Sequence, residues 1–218
     1  MTSSIISSLF AYTLASIFLA AAPGPDMLLV LRSATRNGKS SAFGVIFGIV
    51  TSQLIWGIAT ILGLSALLFH FKEAFTLLKW GGTLYLTYLG IRLLLSRSED
   101  ILSTAEPLKR EEIGGQVSFK QGYYQGVVTN LLNPMIGVLF LVIFPSFIPQ
   151  GADIKLFTFI LTLIQMLVAF SIFTILALAS QLVSSWIKEG KGVVWIDRIA
   201  GIALLYFAIK LFFAHSPI

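Results

Sequence analysis

A carboxylate lies at a proline break inside the first apolar stretch of the chain. Pro23, Gly24, Pro25 and Asp26 interrupt a run that is otherwise almost wholly apolar from Ile5 to Leu31. Proline lacks the backbone N–H, and its ring clashes with the carbonyl four residues earlier, so a helix ends or kinks there. In hydrocarbon, backbone groups freed in this way are tolerated only against protein or a wet cavity, and an acid at that depth is usually functional. Asp26 is therefore the leading candidate for a functional side chain.

A second proline breaks a later apolar stretch, which covers residues 119–148. Aligning the two breaks gives three pairs, Gly24 with Asn133, Pro25 with Pro134 and Asp26 with Met135. Proline suits the first turn of a helix, where its missing N–H costs nothing. Each break is thus expected to start a half-helix whose free N–H groups and positive dipole end face the protein interior. Only the first break adds a carboxylate.

The composition restricts the class of protein. The chain is 56% hydrophobic and 11% charged, and its mean hydropathy is +0.89. Soluble domains are about 25% charged, so the composition predicts a membrane protein. There is no cysteine, which excludes thiolate metal sites and thiol chemistry. The two histidines, His70 and His215, lie near segment ends, so we expect no metal site, no catalytic site and no cofactor.

Six apolar stretches are long enough to cross a bilayer, at about 20 residues per crossing. They cover residues 4–31, 40–69, 74–95, 119–148, 153–185 and 196–214. The first and fourth carry the proline breaks. A single long hydrophilic run separates the halves, so the chain divides into residues 1–95, a linker over 96–118 and residues 119–218. The predicted fold is an all-α polytopic membrane protein with six transmembrane helices and one membrane domain.

The distribution of basic residues predicts the orientation. Loops 1–2, 3–4 and 5–6 carry 11 of the 15 Lys and Arg residues, and the opposite side carries 4. Lys and Arg accumulate on the cytoplasmic side of membrane proteins. The linker is therefore expected in the cytoplasm, and both termini are expected outside it.

The two halves show internal similarity. Phe10 and Phe119 each lie fifteen residues before the proline of a break, and the sixth stretch repeats the pattern of Tyr88–Leu93 at Tyr206–Leu211. Because each half has three spans, an odd number, the second copy must be inverted relative to the first. Inverted repeats with broken helices at matching positions are typical of secondary transporters, whose site lies between the repeats.

The order and spacing of several blocks resemble a known family, the LysE/RhtB amino-acid exporters. The matching blocks are Ala22-Pro23-Gly24-Pro25-Asp26, Arg36-Asn37-Gly38, Gly44-x-x-x-Gly48, Leu78–Gly90, Phe119-Lys120-Gln121-Gly122 and Asn130-Leu131-Leu132-Asn133-Pro134. The resemblance spans essentially the whole chain and implies a carrier of the bacterial inner membrane that exports amino acids or related small metabolites. Many members of that family have a lysine after the second Asn-Pro, where this chain has Met135. That departure leaves the substrate, and any coupling that depends on such a lysine, open.

The two breaks together suit a zwitterion. We expect Asp26 to meet the ammonium group of a substrate, and the second break to receive the carboxylate through backbone N–H groups and the amides of Asn130 or Asn133. Each residue has an alternative role. Asp26 could cap its half-helix or carry a proton, Asn133 followed by proline is an ordinary N-cap, and Asn130 could bind backbone loosened by Pro134.

Three other residues are weaker candidates for substrate binding. Gln53 and Gln165 occupy similar places in the two halves, about fifteen residues after Gly38 and Gly151, and interhelical hydrogen bonding is their alternative role. Tyr85 is placed to line a cavity from the third span. The glycine pairs Gly44-x-x-x-Gly48 and Gly122-x-x-x-Gly126 allow close helix approach, either within one subunit or in a homodimer.

The function favoured by these features is secondary export of amino acids or similar zwitterions. A cation or metal-ion carrier or channel is the alternative, although it would favour more buried acids or histidines. An enzyme is not expected, because neither histidine has a persuasive nucleophilic partner. No phosphate-binding loop is present, so transport would use an ion or substrate gradient. The expected partners are the bilayer and a small molecule; nucleic acid is not among them.

Overall fold

A computed structural model describes residues 2–21, 24–70, 72–95 and 117–180, together with part of 198–213. Every element in these ranges is helical. The α-helices are α1 (Thr2–Ala21), α2 (Pro25–Arg32), α3 (Lys39–His70), α4 (Lys72–Leu94), α5 (Phe119–Leu131), α6 (Pro134–Val138) and α7 (Ile154–Leu178). A π-helical turn follows each half-helix, at Ser33–Asn37 and at Leu139–Ile143, and a 3₁₀ turn at Phe144–Phe147 follows the second.

Three of the described helical segments are long and apolar enough to cross a membrane, namely Ser4–Ala21, Lys39–Gly63 and Ile154–Leu178. The segments Phe119–Leu131 and Met135–Phe147 meet at an angle of 58° and form a fourth span if the bent pair is counted as one. The prediction of an all-helical membrane protein is confirmed. The count of six spans and their inverted repeat stay predictions, and nearly all of the linker lies outside the described residues.

Both predicted helix breaks are present. The first α-helix ends at Ala21, and α2 begins at Pro25 after Gly24, whose backbone is extended with φ −160° and ψ 179°. The second break has the same form, because Asn133 is extended with φ −75° and ψ 110° and Pro134 opens α6. Pro23 lies outside the described residues. Each remaining proline occupies the first turn of its half-helix, where no intrahelical N–H is needed.

The predicted glycine pairs bring α3 and α5 into direct backbone contact. A methyl group added at any of the four glycines would collide with a carbonyl of the facing helix: Gly44 with Phe119, Gly48 with Tyr123, Gly122 with Ser41 and Gly126 with Val45. The Ser52 hydroxyl adds a hydrogen bond to the carbonyl of Val127, at 2.9 Å. Close approach through small residues is the main way helices associate in a bilayer. The two glycine motifs therefore pack against each other within one chain.

Buried apolar side chains form two separate clusters. The first contains Tyr12, Leu19, Leu86, Phe140, Phe144, Phe147 and Leu161, and the second contains Val30, Leu31, Val45, Ile46, Ile49, Ala169 and Phe173. Polar residues fall between the clusters along the same helices. On α7, for example, Gln165 lies between Leu161 of the first cluster and Ala169 of the second. We give the name polar layer to the buried acid and the four buried amides among the described residues: Asp26, Gln53, Asn130, Asn133 and Gln165.

Candidate binding site in the polar layer

Asp26 joins the two helix breaks. It is the second residue of α2, and only 6% of its surface is exposed. Its Oδ2 accepts hydrogen bonds from Nδ2 of Asn130 at 2.9 Å and from Nδ2 of Asn133 at 3.2 Å. Its Oδ1 has no hydrogen-bond partner. A buried carboxylate with one oxygen unpaired is costly unless a further group comes to it.

The capping alternative for Asp26 is not realised here. The N-cap residue of α2 is Gly24, and no side chain caps this helix. A carboxylate in the first turn still benefits from the helix dipole. Its directed contacts, however, cross to the other break, so Asp26 does more than finish its own helix.

Asn133 serves both breaks. Its Oδ1 accepts from the backbone N–H of Met135 at 3.1 Å, which confirms it as the N-cap of α6. Its Nδ2 donates to Asp26. Asn130, near the end of α5, directs its amide nitrogen to the same carboxylate oxygen, and not to backbone loosened by Pro134. The Oδ1 of Asn130 is buried and has no partner.

The two glutamines differ in their surroundings. Gln165 accepts two hydrogen bonds at Oε1, from Tyr12 Oη at 2.8 Å and from Ser16 Oγ at 2.7 Å, so it links α7 to α1. Gln53, on α3, is 1% exposed, and its Oε1 has no partner. The interhelical role considered for both is present at Gln165. Tyr12 and Ser16 were not predicted, although two polar residues one turn apart on an apolar helix share a face and point to a buried partner.

A small cavity opens at the level of the polar layer. The volume open to the centre of a water molecule is about 40 Å³, enough for about three waters. Its polar lining consists of Asp26, Gln53, Asn133 and Gln165, with Gly24 also at its surface. Apolar side chains complete it, among them Leu86, Met135 and Phe173. The cavity is smaller than an amino acid, so a bound substrate requires the walls to move outward.

Two of the predicted site residues, Asn130 and Tyr85, are not among the residues that line this cavity. Tyr85 lies on α4 next to the cavity residue Leu86 and is only half-buried; it is not part of the lining. Among the residues that the structure describes, there is also no group of three or more His, Cys, Asp or Glu side chains that could hold a metal ion.

The fold and site together define a class: a helical membrane protein with two proline-broken helices around one buried acid and four buried amides. The chain belongs to the LysE type translocator family, whose model matches residues 17–215. This confirms the resemblance found in the sequence blocks.

Several relatives match nearly the full chain. An uncharacterised membrane protein of Bacillus subtilis, YrhP, is 30% identical over 93% of this chain and 97% of its own length. The threonine efflux protein of Escherichia coli K12 is 26% identical, covering 87% of this chain and 89% of the relative. The homoserine/homoserine lactone efflux protein of Salmonella typhimurium is 28% identical, covering 88% of this chain and 89% of the relative. No solved structure matches the chain.

Proposed function

We propose that this protein is a secondary transporter that exports small amino acids or related zwitterionic metabolites across the bacterial inner membrane. The observation that carries the proposal is Asp26, a buried acid that lines a small cavity between two helix breaks and whose Oδ1 has no hydrogen-bond partner. Relatives named for threonine efflux and for homoserine/homoserine lactone efflux support this class of substrate.

The ammonium group of the substrate binds at Asp26. Two neutral amides hold Oδ2 and fix the orientation of the carboxylate, so Oδ1 stays available to a donor from the cavity. Gln53 lines the same cavity, and its buried Oε1 is also unpaired. An ammonium group has three N–H donors and no acceptor, which matches the two unpaired oxygens, Asp26 Oδ1 and Gln53 Oε1. Charge-assisted hydrogen bonds of this kind are about twice as strong as neutral ones.

The substrate carboxylate is assigned to the second break. One N–H of Asn130 and one of Asn133 go to Asp26 in this structure, but a primary amide carries two N–H donors. The remaining donors, with the amide nitrogens of the glutamines, are the uncharged groups that can meet a carboxylate. Side-chain selectivity then comes from the apolar wall.

Transport requires the polar layer to face each side of the membrane in turn. The proposed arrangement is six spans in two inverted three-helix repeats, with both termini outside the cytoplasm. One apolar cluster lies on each side of the layer along the described helices. Each cluster therefore acts as a barrier that opens alternately, as in other carriers built from inverted repeats.

Proton coupling fits the same residue. If Asp26 is protonated without substrate, an arriving ammonium displaces the proton, because the charged carboxylate pairs with the cation. Export would then be linked to proton entry. An inorganic monovalent cation is a second candidate ligand, favoured by the unpaired oxygens of Asp26, Asn130 and Gln53, and it would act as a coupling ion or as the transported species.

Efflux from proteoliposomes loaded with a mixed panel of amino acids tests the proposal. We expect one or a few small amino acids to leave, and Asp26→Asn to abolish that efflux. Asp153→Asn is the matched control, since Asp153 is an exposed N-cap of α7 outside the polar layer and asparagine caps helices equally well. Imposed proton and sodium gradients distinguish the two coupling ions.

The outcomes separate clearly. Selective efflux that survives Asp153→Asn and is lost with Asp26→Asn supports the exporter and its site. Movement of sodium or potassium alone, without any amino acid, would favour the cation carrier. Efflux that is unchanged in Asp26→Asn, with the same pH dependence, would remove Asp26 from the mechanism.

A further inference from the structure

The cavity carries an unbalanced charge. Among the lining residues that the structure describes, Asp26 is the only one with an ionisable side chain; the other polar side chains are the neutral amides of Asn133, Gln53 and Gln165. No lysine, arginine or histidine occurs among these described lining residues. With the Asp26 carboxylate ionised, the described lining therefore has one negative charge and no positive charge to offset it.

This imbalance affects the two ends of an amino acid differently. The ammonium neutralises Asp26. A free carboxylate brings a second negative charge that no cation in the lining can meet, and only uncharged N–H groups remain for it. Burying a charge without an opposite charge is costly even when hydrogen bonds are available. A ligand that keeps the amine but has its carboxylate masked avoids this cost.

We propose that the site discriminates by net charge and prefers small α-amino compounds whose carboxyl group is masked, as in an amide or an ester, over the corresponding free amino acids. The inference rests on the proposed function and ranks the ligands of the same site: a free amino acid binds there, and its amide or ester binds more tightly. The neutral amide group also suits the remaining lining, because it can donate to and accept from the glutamine side chains.

Met135 is the residue that sets this preference. It lines the cavity, and its backbone N–H is joined to Asp26 through the side chain of Asn133. It occupies the place in the second break that Asp26 occupies in the first. An apolar side chain at this position supplies no charge for a carboxylate. A lysine here would place a cation beside the second break. The charges of Asp26, this lysine and a bound free amino acid would then sum to zero.

Competition between L-threonine and L-threoninamide tests the inference with the intact protein. The assay measures counterflow of labelled L-threonine in proteoliposomes while one of the two unlabelled compounds competes. The pH is about 6.5, below the α-amino pKa of about 7.7, so that the amines are protonated. We expect the amide to inhibit at a concentration at least about tenfold lower than threonine, equivalent to about 1.4 kcal/mol. Met135→Lys is expected to reverse the order. Met135→Leu changes shape without adding charge and is expected to keep the preference for the amide.

Each result decides one of the two proposals. Threonine inhibiting as well as or better than its amide, with transport intact, would overturn the charge preference alone. Absence of transport and of inhibition by both compounds would overturn the exporter, and the inference with it. If Met135→Lys does not fold, ligand-dependent shifts in melting temperature still decide the question. They give the ratio of the affinities for threoninamide and threonine in wild type, and they show whether Asp26→Asn loses that preference.

Discussion

The two helix breaks have nearly the same backbone and opposite chemistry. Each begins a half-helix with an extended residue followed by proline, and each half-helix runs into a π-helical turn. The first break has an acid and no side-chain cap. The second has no acid, is capped by Asn133, and supplies the two amides that hold Asp26.

The difference shows how one repeated element serves two purposes. In the proposed mechanism, the first break carries the charge that draws a ligand, and the second keeps that charge oriented without neutralising it. Hydrogen bonds from neutral amides stabilise a carboxylate less than an ion pair with arginine or lysine does. Asp26 is therefore left with enough unmet attraction to bind a cation. A symmetrical pair of breaks, both acidic or both capped by asparagine, would lack this property.

The largest effect is expected from making the second break acidic. Asn133→Asp keeps an N-cap for α6 but replaces the donor to Asp26 with a second carboxylate. Two carboxylates at hydrogen-bond distance cannot both stay ionised. We expect efflux to fall by about 100-fold, equivalent to about 2.7 kcal/mol, while the cap is retained. Proteoliposome efflux measures this, and the position would prove unimportant for transport if the rate stayed near that of wild type.

A smaller effect is expected from removing the cap and donor together. Asn133→Ala loses the bond to the N–H of Met135 and one bond to Asp26, so we expect its free energy of unfolding to fall by about 2 kcal/mol. The matched change at the first break, Gly24→Ala, removes no side-chain cap and is expected to cost less than about 1 kcal/mol. Thermal or denaturant unfolding in detergent compares the two. Equal losses would mean that the breaks do not differ in capping.

The smallest expected effect is the difference in stability between variants of the two glutamines. Gln165→Leu leaves the hydroxyl groups of Tyr12 and Ser16 without their acceptor, and we expect it to cost about 1–2 kcal/mol of stability. Gln53→Leu removes a carbonyl that has no partner, so we expect unchanged or slightly higher stability but weaker transport. Unfolding and efflux are measured on both variants. A larger loss of stability in Gln53→Leu would contradict the described hydrogen bonds.

The sequence was sufficient for the features that depend on local chemistry. Proline in hydrocarbon requires a break, so Pro25 and Pro134 predicted where α2 and α6 begin. Small residues at helical spacing predicted the tight packing of Gly44 and Gly48. The sequence did not show whether this packing occurs within one subunit or between two.

Contacts between distant segments could not be read from the sequence. Asn130 and Asn133 were predicted to bind a ligand carboxylate, and that stays a prediction; their hydrogen bonds to Asp26, more than one hundred residues earlier, were not predicted. The bond of Tyr12 to Gln165 spans 153 residues. The π-helical turns also had no signal, because they depend on how each half-helix packs after its break. The overall arrangement of six inverted spans stays a prediction.

The most direct test of the central claim removes each partner of the proposed ion pair separately. Homoserine and 4-hydroxybutyrate differ by the amine, and wild-type protein and Asp26→Asn differ by the carboxylate. Ligand-dependent shifts in melting temperature measure the binding of both compounds to both proteins. We expect wild type to bind homoserine at least about 100-fold more tightly than 4-hydroxybutyrate, and Asp26→Asn to narrow that preference to a few-fold, because a true pair couples the two deletions. An Asp26→Asn variant that folds normally and keeps the full preference for the amine would contradict the pairing of Asp26 with the substrate ammonium.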